Sequence, residues 1–566
     1  MPNALTGLPW KRLWRIGKPF WVSDKRNPGL LLLLGVLALL SANAGVMVFI
    51  NKTAGQFMTA IEQRDVPNFY HYLMIYAIAL VVATPLQVFY GYMRTRLALL
   101  WRNWLSASLF AGYFNNLAYY KLLRNQEVDN PDQRMSQDVD GFCNQSVGLF
   151  ISILDSAVNV IMFVGVLWAI SPLLTWTVIG YSALGSVAVI LIGKSLVSLQ
   201  FQAMKREADL RFGLAEARRE AEAIAFYRGE QIAEDQAKTR LQSIIDTLVS
   251  MAGVHRNIML FVTTYNLLVP LIPAAIIAPL YFRGEVPFGN ITQATMAFTV
   301  VFNGATLLIG QFGGITAYTA VINRLGTFVE VLDDAGVEHL PPGEHIEISE
   351  GTTIAFKKVT VKTPDLARTL VRDLSINVPV GKGLFITGPD GTGKTAILRT
   401  IAGMWNAGSG ILTRPPSAHL MFLTQNPYLP PTTLREAICY PGNDLCPDDE
   451  DVFKLLRLVN LGDVPARAGG LDVVQNWRDF LSLSEQQRLS IARIIQNKPK
   501  YAIIDEATSA LEVEAERLFY TLLSGMGATI VTAGNGPALA QYHSQVLELT
   551  GDGAWRSYPA TQFKAR

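Results

Sequence analysis

Apolar residues are not spread evenly along this chain. They gather in six blocks, near 29–51, 69–93, 147–170, 172–193, 258–282 and 290–313. Each is roughly 20 residues or more, the length a helix needs to cross the hydrocarbon of a bilayer. Six membrane-spanning helices are predicted. Long polar segments, 94–146 and 194–257, separate the second block from the third and the fourth from the fifth. Residues 200–257 are rich in Ala, Glu, Arg, Leu and Gln, with few glycines and no proline, which favours helix. The expected picture is helices that continue beyond the membrane as two arms, with tips placed to touch another domain. After 335 the period breaks at Pro341-Pro342-Gly343, and 336–347 reads as a linker. Short apolar runs at 352–356, 374–378 and 383–387 then read as strands. The predicted fold class is therefore multidomain: an all-α six-span domain over 1–335 with long helical extensions, then an α/β domain over 348–566.

Charge sets the orientation. Lys11, Arg12, Arg15, Lys18, Lys25 and Arg26 precede the first block, and both long segments carry many Lys and Arg. The connections at 52–68, Ser171-Pro172 and 283–289 carry few. That bias puts both termini and both arms in the cytoplasm. The first block is too long for a signal core and has no small-residue cleavage site after it, so it reads as a retained helix. Composition agrees: half the residues are hydrophobic, 17% are charged, and the mean hydropathy is +0.26. A net charge of +2, without a basic stripe interleaved with aromatics, argues against nucleic acid as a partner. Cys143, Cys439 and Cys446 have neither metal nor disulfide spacing and read as reduced thiols.

The candidate chemistry centres on Gly388-Pro389-Asp390-Gly391-Thr392-Gly393-Lys394-Thr395, which fits G-x-x-x-x-G-K-[ST] between a strand and a helix. Glycines let the backbone turn its N–H groups toward phosphate oxygens, and the helix N-terminus adds positive potential. Lys394 suits the β- and γ-phosphates of ATP, and the Thr395 hydroxyl suits Mg²⁺. Further motifs follow in order. A strand over 420–424 ends at Gln425, whose amide can ligate Mg²⁺ and contact a neighbouring domain. The segment 481–488 opens a helix. A strand from Tyr501 ends in Asp505 and Glu506. Asp505 suits the Mg²⁺ shell, and Glu506 suits polarising the water that attacks the γ-phosphate.

With this set in this order, the chain resembles the ATP-binding cassette transporters over essentially its whole length. The resemblance implies that 388–395 is Walker A, Gln425 the Q-loop, 482–486 the signature, 503–506 Walker B and 509–512 the D-loop. It also implies a half-transporter that homodimerises. Each ATP would then lie between one chain's Walker A and the other's signature, with Ser482, Ser484 and Glu485 as contacts. Asn130-Pro131-Asp132-Gln133-Arg134, the stretch 222–230 (Glu-Ala-Ile-Ala-Phe-Tyr-Arg-Gly-Glu) and Asn426-Pro427-Tyr428-Leu429-Pro430 resemble the peroxisomal acyl-CoA and bacterial BacA-related subgroup. That resemblance implies a bacterial inner membrane, with uptake of peptides or bulky amphipathic compounds. A lipid, acyl-CoA or multidrug exporter of the same fold stays open. So do a non-transporting ATP-binding regulator and a proton-coupled carrier with a vestigial cassette.

The sequence departs from the family pattern in three places. The signature reads Leu481-Ser482-Leu483-Ser484 where the family has L-S-G-G; Ser484 is small enough for close approach, and Leu483 is expected to pack. Asn535 occupies the switch-histidine position, so it can donate a hydrogen bond but cannot carry a proton, and hydrolysis is expected to persist at a lower rate. No aromatic lies in 359–364 to stack on adenine. In the membrane, Asp155 and Asn159, one turn apart, and Asn266 are candidates for a translocation cavity, because polar groups there are costly and usually face an interior path.

Overall fold

A computed structural model describes residues 9–125, 129–335, 343–442, 447–508 and 510–563. The chain divides into two compact units, Met1–Val337 and Glu338–Arg566. Most of the predicted linker, Cys446 and the D-loop residue Ser509 lie outside the described residues.

The first unit is helical. It comprises α1 (Trp10–Gly17), α2 (Arg26–Glu62), α3 (Val66–Phe114), α4 (Val139–Ile170), α5 (Pro172–Arg219), α6 (Glu230–Leu268), α7 (Leu271–Phe282), α8 (Gly289–Gly310) and α9 (Phe312–Ala335). Among the described residues, five helices are long and apolar enough to cross a membrane: α2, α3, the run Pro131–Ile170 that ends in α4, α5, and the run Glu230–Phe282 formed by α6 and α7. The sixth predicted span coincides with α8, a helix of 22 residues. The fifth span is not continuous: Pro270 follows the end of α6, and the chain turns before α7. The helices outrun the apolar blocks. α3 has 49 residues and α5 has 48, roughly 70 Å each, about twice the hydrocarbon thickness.

Glycines and reciprocal hydrogen bonds hold the bundle together. α2 and α8 touch backbone to backbone at Gly55 and Gly289, where neither position has room for a side chain. Beside that crossing the Gly289 N–H donates to Thr59 Oγ1 at 3.0 Å, and Asn51 Nδ2 donates to the Gln293 carbonyl at 3.0 Å. Tyr181 of α5 and Tyr265 of α6 stack 4.0 Å apart, and each hydroxyl donates to the other's carbonyl. At the tip between these two helices, Arg228 takes a left-handed φ of 51° and the Gly229 N–H closes onto the Ile224 carbonyl at 2.9 Å. The Asn130-to-Arg134 motif opens the run into α4. It delivers Asp138, 3% exposed, to Arg324 of α9 at 2.5 and 2.9 Å and to Arg134 at 3.5 Å.

The second unit holds β1 (Glu347–Glu350), β2 (Ile354–Lys362), β3 (Thr369–Val378), β4 (Leu384–Thr387), α10 (Lys394–Ile401), β5 (Gly408–Arg414), β6 (Leu420–Thr424), α11 (Leu434–Cys439), α12 (Leu483–Asn497), β7 (Tyr501–Asp505), α13 (Val513–Gly525), β8 (Thr529–Ala533), β9 (Gln545–Gly551) and β10 (Ala554–Pro559). A four-stranded sheet runs β1-β5-β2-β3, and a six-stranded sheet runs β10-β9-β4-β8-β7-β6. In the larger sheet every pairing is parallel except β10 with β9. β4 and β8 are buried throughout, as central parallel strands covered on both faces should be. This order brings the carboxyl ends of β4, β8, β7 and β6 side by side, where open α/β sheets hold ligands.

Candidate functional site

Each of those four strand ends delivers one part of the site. β4 runs into the phosphate loop, where Gly388, Gly391 and Gly393 have φ of 144°, 75° and 108°. At Gly388 a Cβ would strike the Leu549 carbonyl, and at Gly393 it would lie 3.1 Å from Leu370, so the loop is folded tightly against its neighbours. Lys394 opens α10 and is 7% exposed. Its Nζ donates to the Gly388 carbonyl at 2.6 Å and the Pro389 carbonyl at 3.4 Å, and it reaches Asp390 Oδ1 at 3.3 Å. It also donates to Asn535 Oδ1 at 3.0 Å, and Asn535 Nδ2 stands 3.5 Å from Asp390. The switch-position residue delivered by β8 is thus joined directly to the phosphate-loop lysine.

β7 ends at Asp505, whose Oδ1 accepts from Thr395 Oγ1 at 3.2 Å. Burial pushes the Asp505 carboxyl above its ordinary range, with Glu506 adding to the rise and the Thr395 hydroxyl opposing it. A half-buried carboxylate beside a hydroxyl and the exposed Gln425 amide offer the hard oxygen donors that Mg²⁺ prefers. Bound there, Mg²⁺ would offset phosphate charge. Glu506 takes a left-handed φ of 50°, and its N–H donates to the Ala533 carbonyl at 3.2 Å. That backbone, strained for a non-glycine residue, turns the carboxylate out of the sheet to an exposed position.

Gln487 was not singled out in the sequence. It is 1% exposed; its Nε2 donates to the Gln425 carbonyl at 3.0 Å, and its Oε1 accepts from the Ala510 N–H at 3.2 Å. One side chain therefore fixes the Q-loop and the segment after Walker B to the same helix. Arg493 of α12, also buried, donates to the carbonyls of Ala437 and Tyr428 at 2.9 and 3.0 Å, and burial pushes its pKa down to about 10.

The signature residues head α12. Ser482 is the N-cap: its hydroxyl accepts from the Glu485 N–H at 3.3 Å, and Glu485 Oε2 accepts from the Ser482 N–H at 2.8 Å. Glu485 Oε1 is held by Arg467 at 2.6 Å, so the carboxylate grouped above with the ATP contacts is committed to shaping this helix end. The guanidinium also holds the Glu485 carboxyl below its usual range. Leu483 does not pack: it is 43% exposed on the first turn, next to the half-buried Ser484. Among the described residues no hydrogen bond joins 481–486 to the phosphate loop.

Aromatic rings beside the phosphate loop come from the far end of the chain. Tyr558 and Phe563 line a cleft of about 950 Å³ with Gly388, Pro389, Asp390 and Asn535. In the membrane unit, Asn159 Nδ2 donates to the Asp155 carboxylate at 3.0 Å. Asn266 is exposed near the end of α6, and its side chain forms no hydrogen bond with a described residue.

Fold and site together define a nucleoside-triphosphate-hydrolysing domain fused to a membrane-spanning helical domain. Family models agree: residues 20–276 match the ABC transporter transmembrane region 2, and 371–509 match the ABC transporter model. An uncharacterised ABC transporter ATP-binding protein of Synechocystis is 41% identical, covering 93% of this chain and 81% of that one. The chloroplastic ABC transporter D family member 2 of Arabidopsis thaliana is 30% identical, over 96% and 86%. The lysosomal cobalamin transporter of Homo sapiens is 30% identical, over 95% and 93%. Among solved structures, a bacterial Atm1-family ABC exporter with ATP bound superposes with a TM-score of 0.71 at 18% identity, covering 95% and 96%. The chain belongs to the ABC transporter family, as a half-transporter carrying one membrane domain and one cassette. It hydrolyses ATP with Mg²⁺ and couples hydrolysis to movement of a cargo across a membrane.

Proposed function

We propose that two copies of this chain form one transporter with two ATP sites, each completed across the pair. The observation that carries this reading is the division of the site. Lys394, Thr395, Asp505, Glu506 and Asn535 gather at the carboxyl end of the larger sheet, while Ser482 and Ser484 head a separate helix that, among the described residues, makes no hydrogen bond to them from its first turn. A helix N-terminus left facing outward suits the γ-phosphate of a nucleotide held by another copy. Glu506 would polarise the attacking water, and Asn535 would hold Lys394 and donate to the γ-phosphate.

Membrane orientation follows from the positive-inside bias: arms, termini and cassette lie in the cytoplasm of a cell with a bacterial-type inner membrane. The arm tip at 222–230 presents Phe226 and Tyr227, 78% and 88% exposed. For cargo we propose a bulky amphipathic compound taken into the cytoplasm. The 30% identity to a lysosomal cobalamin transporter favours a corrinoid-sized compound over a peptide. Export is the second reading, favoured by the likeness to an exporter fold. Uptake of cyanocobalamin by cells lacking their own importer, with wild type or Glu506→Gln, tests the proposal. It stands if uptake appears with wild type and falls at least tenfold in the variant. It fails if the variant matches wild type or neither imports, and accumulation in inverted vesicles instead establishes export.

A further inference from the structure

Two hollows lie end to end between α2 and α3, and they differ in chemistry. One, about 490 Å³, is apolar, with Gly45, Phe49, Ile75, Ala79 and Val82 in its wall. The other, about 380 Å³, is polar, with Lys52, Gln56, Thr59, Tyr72 and, from α8, Asn290 and Gln293. The lining positions recur by four and three residues: 45, 49, 52, 56 and 59 on α2, and 72, 75, 79 and 82 on α3. That spacing is one face of each helix, so the hollows form one groove with an apolar end and a polar end.

Small residues open the apolar end. A Cβ added at Gly45 would meet nothing within 4 Å, and Phe49 and Val82 stay 50% and 47% exposed. Among the described residues no side chain fills it. The polar end carries an unspent cation. Asp65, the one acid in its wall among the described residues, caps α3 by accepting from the Asn68 N–H at 3.2 Å and from Asn68 Nδ2 at 2.6 Å. Lys52 forms neither a hydrogen bond nor an ion pair with a described residue. The carboxamides around it bring donors and acceptors but no charge.

Depth selects the occupant. Lys52 is the first charged residue after the apolar block of α2, so its ammonium stands at the headgroup surface. From Ala42 at the apolar end to Lys52 the helix rises about 15 Å, half the hydrocarbon thickness of a bilayer and the depth of one leaflet. A single acyl chain therefore reaches the end of the groove while its head meets Lys52.

We propose that the groove between α2 and α3 holds a phospholipid of the leaflet whose surface Lys52 reaches. One acyl chain lies against Gly45 and Ala79, and the phosphate diester pairs with Lys52 among the carboxamides of Gln56 and Gln293. The lipid fills the hollow that the small residues leave between the two helices.

The test uses the full chain in phosphatidylcholine nanodiscs with a trace of photoreactive lipid carrying a diazirine in one acyl chain. That lipid is either phosphatidylglycerol or diacylglycerol, which lacks the phosphate. Labelled peptides are mapped by mass spectrometry. Wild type is expected to be labelled within 42–49 and 75–82, about fivefold more by phosphatidylglycerol, the ratio one surface lysine supplies. Lys52→Gln should bring that ratio close to one. Gly45→Leu, which builds into open space, should lower labelling of the groove by both lipids. Equal labelling by the two lipids in wild type overturns the proposal, and so does a ratio that survives loss of Lys52 or labelling unchanged by Gly45→Leu. A groove that takes no label is the result expected if a second copy covers it. Label displaced by cyanocobalamin is the result expected if the groove takes cargo, and either result overturns the lipid assignment.

Discussion

Asp505 places function against stability within one side chain. Burial raises its carboxyl pKa in the folded chain. A raised folded value means that stability is greatest when the group is protonated and falls as pH rises through that value, so at neutral pH the charged form costs the fold energy. Asp505→Asn should therefore raise the melting temperature by about 2 °C while abolishing Mg²⁺-dependent hydrolysis; calorimetry and a phosphate-release assay read the two effects. His543 has the opposite sign. Buried between the Leu539 carbonyl at 2.7 Å and Thr532 at 2.9 Å, its pKa is lowered to about 4, so it stays neutral in the fold and adds stability that is lost as pH falls from about 6.5 to 4. His543→Gln should flatten that acid loss, by up to about 3 kcal/mol in denaturant titrations at pH 7 and pH 4.5. At Asn535, replacement by His should raise the hydrolysis rate, whereas Asn535→Ala, which frees Lys394 from its 3.0 Å partner, should lower it about tenfold. Steady-state ATPase rates check both variants, and an unchanged rate in Asn535→His would argue against the switch role.

At the scale of elements, the strands that deliver the site were legible and their order was not. The 383–387 and 501–505 runs are short, apolar and followed by glycines or acids, which is enough to mark a buried strand ending in chemistry. The placement of β8 between β4 and β7 depends on crossovers that no local pattern encodes. Gln487 was missed for a related reason: a glutamine in the polar opening of a helix reads as solvated, and its burial is visible only once α12 packs under the Q-loop. Removing it leaves the Gln425 carbonyl and the Ala510 N–H without their partner. Gln487→Ala should cost about 2 kcal/mol of stability and lower kcat about tenfold with little change in KM for ATP, a split measurable by steady-state kinetics. Leu483 escaped for another reason. A leucine in place of glycine suggests packing, but the first turn of α12 faces outward and leaves Leu483 43% exposed among the described residues.

At the scale of the molecule, six apolar blocks and one phosphate loop were enough to read a membrane domain fused to an ATPase, because both patterns follow from elementary solvation and phosphate electrostatics. The break at Pro270 needed the fold, whereas the reach of α3 and α5 past the apolar blocks was expected from the helix-favouring polar segments that follow them. Pairing of two copies is the claim on which the functional account rests, and complementation tests it most directly. Lys394→Ala removes the loop half of the site, and Ser482→Arg blocks the signature half; each alone should be inactive. Mixed pairs restore one intact site of two, so co-assembly of equal amounts in lipid nanodiscs should return ATPase activity to about a quarter of wild type. A mixture no more active than the separate variants would contradict a site shared between two copies.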